Sequence, residues 1–238
     1  MKAIILSIVQ YKEKDAIIQA ITANESFSFL AKGILNPKNP NSIINNPMTI
    51  AEIELSDRAG LRYKVLKTVS VISSPLSLNS KLENLASLQM INEATSKCLS
   101  DEEKYKIFSW IEDAIYRLKK TDEYLQTLLL VFANVLKAAG YGFEVNRCVF
   151  CGKKTDIVDF SFVDGGFVCR DCQQDEIASG FSKEEMKYIR YIFNAEDFED
   201  TTSIVVDAKS MTRILGKFLE FIKDNLGVTI KSSELLLH

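Results

Sequence analysis

The sequence predicts an α+β protein: an N-terminal OB-type β-barrel followed by an α-helical domain with an inserted four-cysteine zinc module. Three observations carry that prediction. Residues 1–75 read as short runs with the two-residue period of strands, apolar residues recur at helical spacing from Leu78 onward, and two Cys-x-x-Cys pairs fall between helical stretches. The chain divides into a barrel over 1–75, a first helical part over 76–147, a zinc-binding hairpin over 148–176 and a second helical part over 177–238.

Five strands are legible in the first part. Ala3 to Tyr11 is a β-rich run, Lys12-Glu13-Lys14-Asp15 a charged hairpin turn, and Ala16 to Thr22 the return strand. Phe27 to Leu35 follows the turn at Asn24-Glu25-Ser26, with Phe27, Phe29 and Ala31 alternating with Ser28, Leu30 and Lys32. The stretch with Pro37, Pro40, Pro47 and its many Asn residues predicts an irregular loop between strands. Met48 to Ser56 alternates again, and Asp57-Arg58-Ala59-Gly60 turns into Leu61 to Ser73. Five short strands with one long polar loop suit a small closed barrel of the OB type, and an SH3-like barrel would give the same pattern.

The helices follow from a change of period. Leu78, Leu82, Leu85, Leu88 and Ile91 predict one apolar stripe, and Ser100-Asp101-Glu102-Glu103 a capping box opening a helix through Leu118. A third helix is predicted from about Asp122 to Ala139, apolar nearly all round at Leu125 to Ala133 and stopped by Gly140; it should be the buried spine. Ser182-Lys183-Glu184-Glu185 opens a helix bearing Ile189, Ile192 and Phe193, and a last helix with Leu215, Phe218 and Ile222 stops before Gly227.

The cysteines carry the most specific chemistry. Cys148, Cys151, Cys169 and Cys172 form two Cys-x-x-Cys pairs 17 residues apart, the spacing of one tetrahedral zinc site built on two knuckles. Gly152 suits the left-handed turn of a knuckle, and the intervening hairpin is Ile157 to Val163, a turn at Asp164-Gly165-Gly166, then Phe167-Val168. The chain opens with Met-Lys and shows no signal peptide, so disulfides are disfavoured and a reducing cytoplasm is expected. A catalytic zinc keeps an open position and commonly uses His, whereas the one His is His238, so the metal is expected to fold the segment rather than do chemistry. Cys98 has no His partner and reads as a free, partly buried thiol.

Composition excludes further classes. The 238 residues are 47% hydrophobic and 26% charged, enough for a real core, and no apolar run approaches the ~18 residues of a membrane helix. The net charge of −3 is uneven: nine Lys/Arg stand against six Asp/Glu in residues 1–75, whereas eleven stand against sixteen in 148–238. A polyanion should therefore dock on the N-terminal third.

Several segments together resemble the bacterial recombination mediator family RecO. They are Tyr11-Lys12-Glu13-Lys14-Asp15 with Ile17, Ala31-Lys32-Gly33, Glu52-Ile53-Glu54-Leu55 with Gly60-Leu61, Leu136 to Gly142 running into Arg147-Cys148-Val149-Phe150-Cys151-Gly152, and Gly165-Gly166-Phe167-Val168-Cys169-Arg170-Asp171-Cys172. The resemblance covers nearly the whole length. It implies an OB-fold, a helical domain interrupted by a zinc module, and a non-enzymatic role in homologous recombination: binding and annealing single- and double-stranded DNA, recognising the C-terminal tail of the single-strand binding protein SSB, and working with RecR to load RecA. Where members often carry a dense basic run after Ala-Lys-Gly, this chain reads Ile34-Leu35-Asn36-Pro37-Lys38-Asn39-Pro40-Asn41. A zinc-ribbon RNA or transcription accessory adaptor, with a nucleic-acid-binding barrel, is the alternative from another class.

The candidates for contact with a nucleic-acid backbone are Lys12 and Lys14 on the first turn, Lys32 and Lys38 around the long loop, and Arg58, Arg62 and Lys64 on the last hairpin; solvated turn charge is the other reading of each. Phe27 and Phe29 either stack bases or fill the barrel. Arg147, Lys153, Lys154 and Arg170 border the tetrathiolate and are expected to offset its negative charge. Glu13 and Asp15 read as turn residues. An SSB tail, acidic with an apolar end, needs an apolar slot rimmed by cations, for which the helices around Ile107 to Lys120 and Lys183 to Phe193 nominate Arg117, Lys119, Lys120, Lys187 and Arg190.

Overall fold

A computed structural model describes the chain except for residues 58, 59, 61, 76–80, 174–178, 201–203 and 237–238, so Arg58 and Leu78 lie outside the described residues. Strands β1 (Lys2–Gln10), β2 (Ala16–Ile21), β3 (Ser26–Ala31), β4 (Ile50–Ser56) and β5 (Val65–Ser73) close into a barrel in the order β1-β2-β3-β5-β4, with β4 returning to β1. Every neighbouring pair is antiparallel except β3 and β5, which meet in parallel at Leu30 and Val65. That order, with one long connection between β3 and β4, is the OB arrangement.

The inner face of the barrel is the smaller of two cores, filled by Ile5, Ile18, Ala20, Phe29, Ala51 and Ile53. Strand β1 does not alternate: Ala3 to Leu6 are all buried, because Ala3 and Ile5 face the interior while Ile4 and Leu6 face the helices. An apolar run in place of alternation is what a strand covered on both faces requires. Polar contacts fix the same seam: Lys2 pairs with Glu112, and Gln19 donates to Asp101 at 2.7 Å.

The loop after β3 departs from the expectation of irregular chain. Strand β3 ends at Ala31 instead of Leu35, because Gly33 turns the backbone at φ 64°. A 3-10 helix then spans Pro40–Ile44, with Pro at its first position and the Asn39 side chain accepting from the Asn41 N–H. Ile34 and Ile44 are both fully buried in the barrel core, so positions that follow the Ala-Lys-Gly motif plug the barrel instead of carrying charge.

The helical body comprises α1 (Leu82–Cys98), α2 (Asp101–Lys104), α3 (Phe108–Lys120), α4 (Tyr124–Ala138), α5 (Lys183–Asn194) and α6 (Ala208–Leu226). Helix α4 is the spine: Leu128 to Ala133 are fully buried, as the all-round apolar pattern predicts. The capping boxes at Ser100 and Ser182 form, and Gly140 and Gly227 take positive φ just past their helices. Two expectations are corrected. The helix predicted from Ser100 to Leu118 breaks into α2 and α3 around a 3-10 turn at Tyr105–Ile107. The leucine stripe of α1 faces the core only from Leu88 onward: Leu82 is 64% and Leu85 38% exposed. Its first turn lies at the margin of the body, where Lys81 pairs with Asp122 and Asn84 donates to the Leu118 carbonyl. No helix among the described residues is long and apolar enough to cross a membrane.

The C-terminal 3-10 segment, Lys231–Leu235, is strapped to α1 by one carboxylate. Glu93, its side chain 9% exposed, accepts from Lys97 Nζ at 2.5 Å, from the N–H groups of Lys231 and Ser232 at 3.0 and 2.9 Å, and from Ser232 Oγ at 2.5 Å. Burial pushes its carboxyl up, but the hydrogen bonds from Lys97, Ser232 and Lys231 outweigh it and hold the group at about 2. A carboxyl depressed below its unfolded value of ~4.3 contributes stability at neutral pH that is lost as the pH falls toward the folded value. Glu93→Gln is therefore expected to lower stability at pH 7 by about 2 kcal/mol, with the gap to the parent narrowing at about pH 3. Thermal unfolding at the two pH values checks this; an equal gap at both would refute the titrating strap.

Candidate metal centre and nucleic-acid rim

The two Cys-x-x-Cys knuckles converge on one point. The four sulfurs of Cys148, Cys151, Cys169 and Cys172 lie within 4.8 Å of one another, with Cys151 and Cys169 at 3.6 Å. Tetrahedral zinc with bonds of ~2.3 Å needs sulfurs about 3.8 Å apart, so the set fits that geometry. The first knuckle closes through the Cys148 N–H to the Lys153 carbonyl at 2.8 Å and the Gly152 N–H to the Cys148 carbonyl at 2.9 Å, with Gly152 at φ 74°. The second sits on a 3-10 turn, Arg170–Cys172, whose Arg170 N–H donates to the Asp156 carbonyl at 2.9 Å. Burial pushes the Cys148 thiol up, yet backbone N–H groups of Cys169, Cys151 and Phe150 bring it down to about 6, whereas the Cys151 sulfur and burial push Cys172 up to about 12, the split expected of thiols crowded onto one point.

Between the knuckles, β6 (Ile157–Ser161) and β7 (Gly166–Cys169) form the expected hairpin, tied to the body by the segment before the first cysteine. Glu144 N–H donates to the Gly165 carbonyl and Phe167 N–H to the Glu144 carbonyl, both at 2.9 Å, and Glu144 bridges Gly166. The contact leaves no room for a side chain: a Cβ on Gly166 would stand 2.2 Å from the Glu144 oxygen. Phe143 then packs edge-on against Phe160, Phe193 and Phe221, so the four-cysteine hairpin is anchored in the main core.

Two of the four cations at its border, Arg147 and Lys153, have carboxylate partners. Arg147 pairs with Glu144 at 2.9 Å, and Lys153 bridges Asp156 and Asp171 at 2.9 and 3.1 Å, joining the two knuckles across the outer face. Lys154 points elsewhere. With Lys183, Lys187 and Arg190 it lines a cavity of about 150 Å³ whose apolar walls are Ile157, Phe167 and Met186. Arg190 is fixed there, its Nε donating to the Val145 carbonyl at 2.8 Å and its guanidinium 5.1 Å over the Phe167 ring.

The barrel gathers the other cations. The β1–β2 turn, the end of β3 and the β4–β5 turn lie at one end of a closed sheet of this order, as the pairs Ala16–Ala31, Leu30–Val65 and Ser56–Val65 show. Lys12, Lys14, Lys32, Lys38, Arg62 and Lys64, all exposed, are therefore brought to one rim. Asp15 sets the spacing: its Oδ1 accepts the Gly33 N–H at 2.7 Å, and the Leu35 N–H donates to the Lys14 carbonyl at 3.1 Å, holding the two lysine-bearing loops together. The Leu30 N–H reaches the Lys64 carbonyl at 2.9 Å and adds the third loop.

The phenylalanines of β3 face away from the rim. Phe29 is fully buried and Phe27 packs on it at 5.9 Å, so both belong to the barrel interior. Tyr11, 56% exposed, and Tyr63 instead lie at the rim, with Lys12 and Arg62 each 5.5 Å from the adjacent ring. Their position beside turn cations is visible in the sequence; the closure that brings their two loops to the same end of the barrel is not. Of the cations nominated on the helices, Arg117 is held by Glu123 at 2.5 Å and Lys119 by Ser73 Oγ at 2.6 Å, whereas Lys187 and Arg190 line the cavity beside the hairpin.

Together these elements make a closed OB barrel with a basic rim, joined to a helical body that carries a four-cysteine hairpin. The family model described as Recombination protein O C terminal matches residues 79–234, and the chain belongs to this RecO family. It is 23% identical over 239 residues to the DNA repair protein RecO of Caldanaerobacter subterraneus, covering 98% of this chain and 95% of that one. With the DNA repair protein RecO of Clostridium novyi the identity is 29% over 182 residues, covering 73% and 68% of the two chains. Its counterpart from Oceanobacillus iheyensis is 22% identical, with 98% and 90% covered. The family places the chain in DNA repair and recombination.

Proposed function

We propose that this protein is a cytoplasmic, non-enzymatic recombination mediator whose barrel rim binds single- and double-stranded DNA and anneals complementary strands. The observation that carries the reading is the assembly of six cations and two tyrosines from three separate loops at one end of the barrel. Cations there neutralise phosphates and the rings stack bases, an arrangement that favours sequence-tolerant binding. The helical body takes up the outer face of β1 rather than the rim, so the rim cations stay exposed. Zinc in the four-cysteine site holds the hairpin and the cations around it. The separate barrel and helical cores support the division into a DNA-binding barrel over 1–75 and a helical part interrupted by the hairpin. RecR and, through it, RecA complete the mediator role that family membership supports.

The same reading gives the SSB tail a place on the helical part. The slot beside α5 combines apolar walls at Ile157, Phe167 and Met186 with Lys154, Lys183, Lys187 and Arg190, and among the described residues no carboxylate lines it. An acidic tail with an apolar last residue matches it in both respects. Replacing Lys187 and Arg190 together by Glu is expected to weaken binding of a labelled SSB-tail peptide by about tenfold or more, since buried-end charge pairs contribute on the order of 2 kcal/mol. Fluorescence anisotropy measures this, and parental affinity in the double variant would remove the tail from this slot.

A further inference from the structure

Among the described residues, the second half of β1 has a strand on one side only. Its pairs with β4 end at Ile4 and Ile50, and the last bonds on that side join the Ile5 N–H to the Thr49 carbonyl and the Met48 N–H to the Ile5 carbonyl, at 2.9 and 2.6 Å. On the other side β2 keeps pairing as far as Gln10 and Ala16. Past the irregularity between Ile5 and Ser7, the Tyr11 N–H turns to the Asp15 carbonyl at 2.9 Å. Antiparallel alternation therefore aims the N–H and C=O groups of Ile8 and Gln10 away from β2, at the side β4 has left. Val9 between them is 60% exposed. Edge strands are ordinarily blunted by proline or charge, and Ser7-Ile8-Val9-Gln10 carries neither.

Where this edge begins, Leu6 and Ser7 form one wall of a cavity of about 580 Å³; Gln89, Asn92 and Ser96 from one face of α1 and Leu235 from the C-terminal 3-10 segment form the others. Asn92 is 8% exposed, and its Oδ1 has no hydrogen-bond partner among the described residues. A buried acceptor left unpaired costs free energy, and this one borders room for a donor. The charges around the cavity cancel. Lys97 is taken up by Glu93 and the Thr229 carbonyl, and Glu234 stands in the same wall as Lys231. A phosphate chain would need a surplus of cations here, whereas an uncharged occupant needs none.

We propose that the open edge of β1 and the cavity beside it form one docking site for an extended, uncharged segment of a partner protein, which adds as a strand along Ser7 to Gln10 and inserts a carboxamide side chain that donates to Asn92 Oδ1. Main-chain bonds to Ile8 and Gln10 supply affinity, and the cavity selects the side chain. The site shares no residue with the rim cations or with the slot beside α5.

The test titrates the full chain into fluorescent pentapeptides that alternate threonine and valine around a central asparagine, glutamine, aspartate or lysine. The two carboxamide peptides are expected to bind saturably, and the two charged ones about tenfold more weakly. Asn92→Leu should weaken the carboxamide peptides by about tenfold while thermal stability does not fall, because the variant removes an unpaired acceptor. Gln10→Pro takes an N–H off the open edge without touching the β2 ladder and should weaken them likewise; Val9→Lys tests the same edge with the backbone intact if the proline variant does not fold. No saturable binding of either carboxamide peptide, or parental affinity in Asn92→Leu or in the folded edge variant, overturns the proposal. So does an oligonucleotide whose affinity falls in Asn92→Leu while that of the peptides holds, which would make the cavity a base pocket.

Discussion

Cys148→Ser is expected to empty the metal site and to open residues 148–172 to protease while the barrel stays folded. Cys148 is the buried sulfur of its knuckle and receives backbone N–H groups from both knuckles, so serine removes one of four ligands and leaves those donors facing a weaker acceptor. Binding free energy of structural zinc is folding free energy, and the loss should reach several kcal/mol. Damage should extend beyond the hairpin, because the Glu144 bridge and the Phe143 contacts depend on it. The barrel has its own core and should survive. Elemental analysis is expected to fall from about one zinc per chain to near none, with new cleavage between the knuckles in limited proteolysis. A parent purified without chelator that contains no zinc would reject the metal, whatever the variant does.

The second large effect concerns the rim. Replacing Lys14, Lys32, Arg62 and Lys64 together by Glu should weaken oligonucleotide binding on the order of a hundredfold, alike for all sequences, because phosphate contacts carry no base information. The slope of log affinity against log salt should become shallower by roughly three, since each lost phosphate contact on a single strand removes about 0.7. All four side chains are exposed, so the fold should be little affected. Unchanged affinity would move the DNA site off the barrel, to the cations beside the metal hairpin.

Much of this arrangement is legible before any coordinate. The four cysteines and their hairpin follow from local spacing and turn chemistry, and the capping boxes at Ser100 and Ser182 from four-residue motifs, so each is decided within a few residues. What is not legible depends on distant partners. Leu82 and Leu85 fit the stripe of α1, but whether a stripe is covered depends on where the neighbouring helices begin and end. Ile34 and Ile44 look like loop residues until the barrel closes over them. Phe198 packs on Trp110 and under the Arg117 guanidinium from the connection between α5 and α6, a contact that emerges only on folding. The rim is intermediate: its lysines stand out individually, and only the barrel order shows that three loops share one end.

A rim that anneals DNA must speed the pairing of complementary strands held by SSB. Complementary oligonucleotides coated with SSB should pair markedly faster when the protein is added, and the four-site rim variant should lose that acceleration. Annealing no faster with the parent protein than without it would show that the rim does not pair DNA strands.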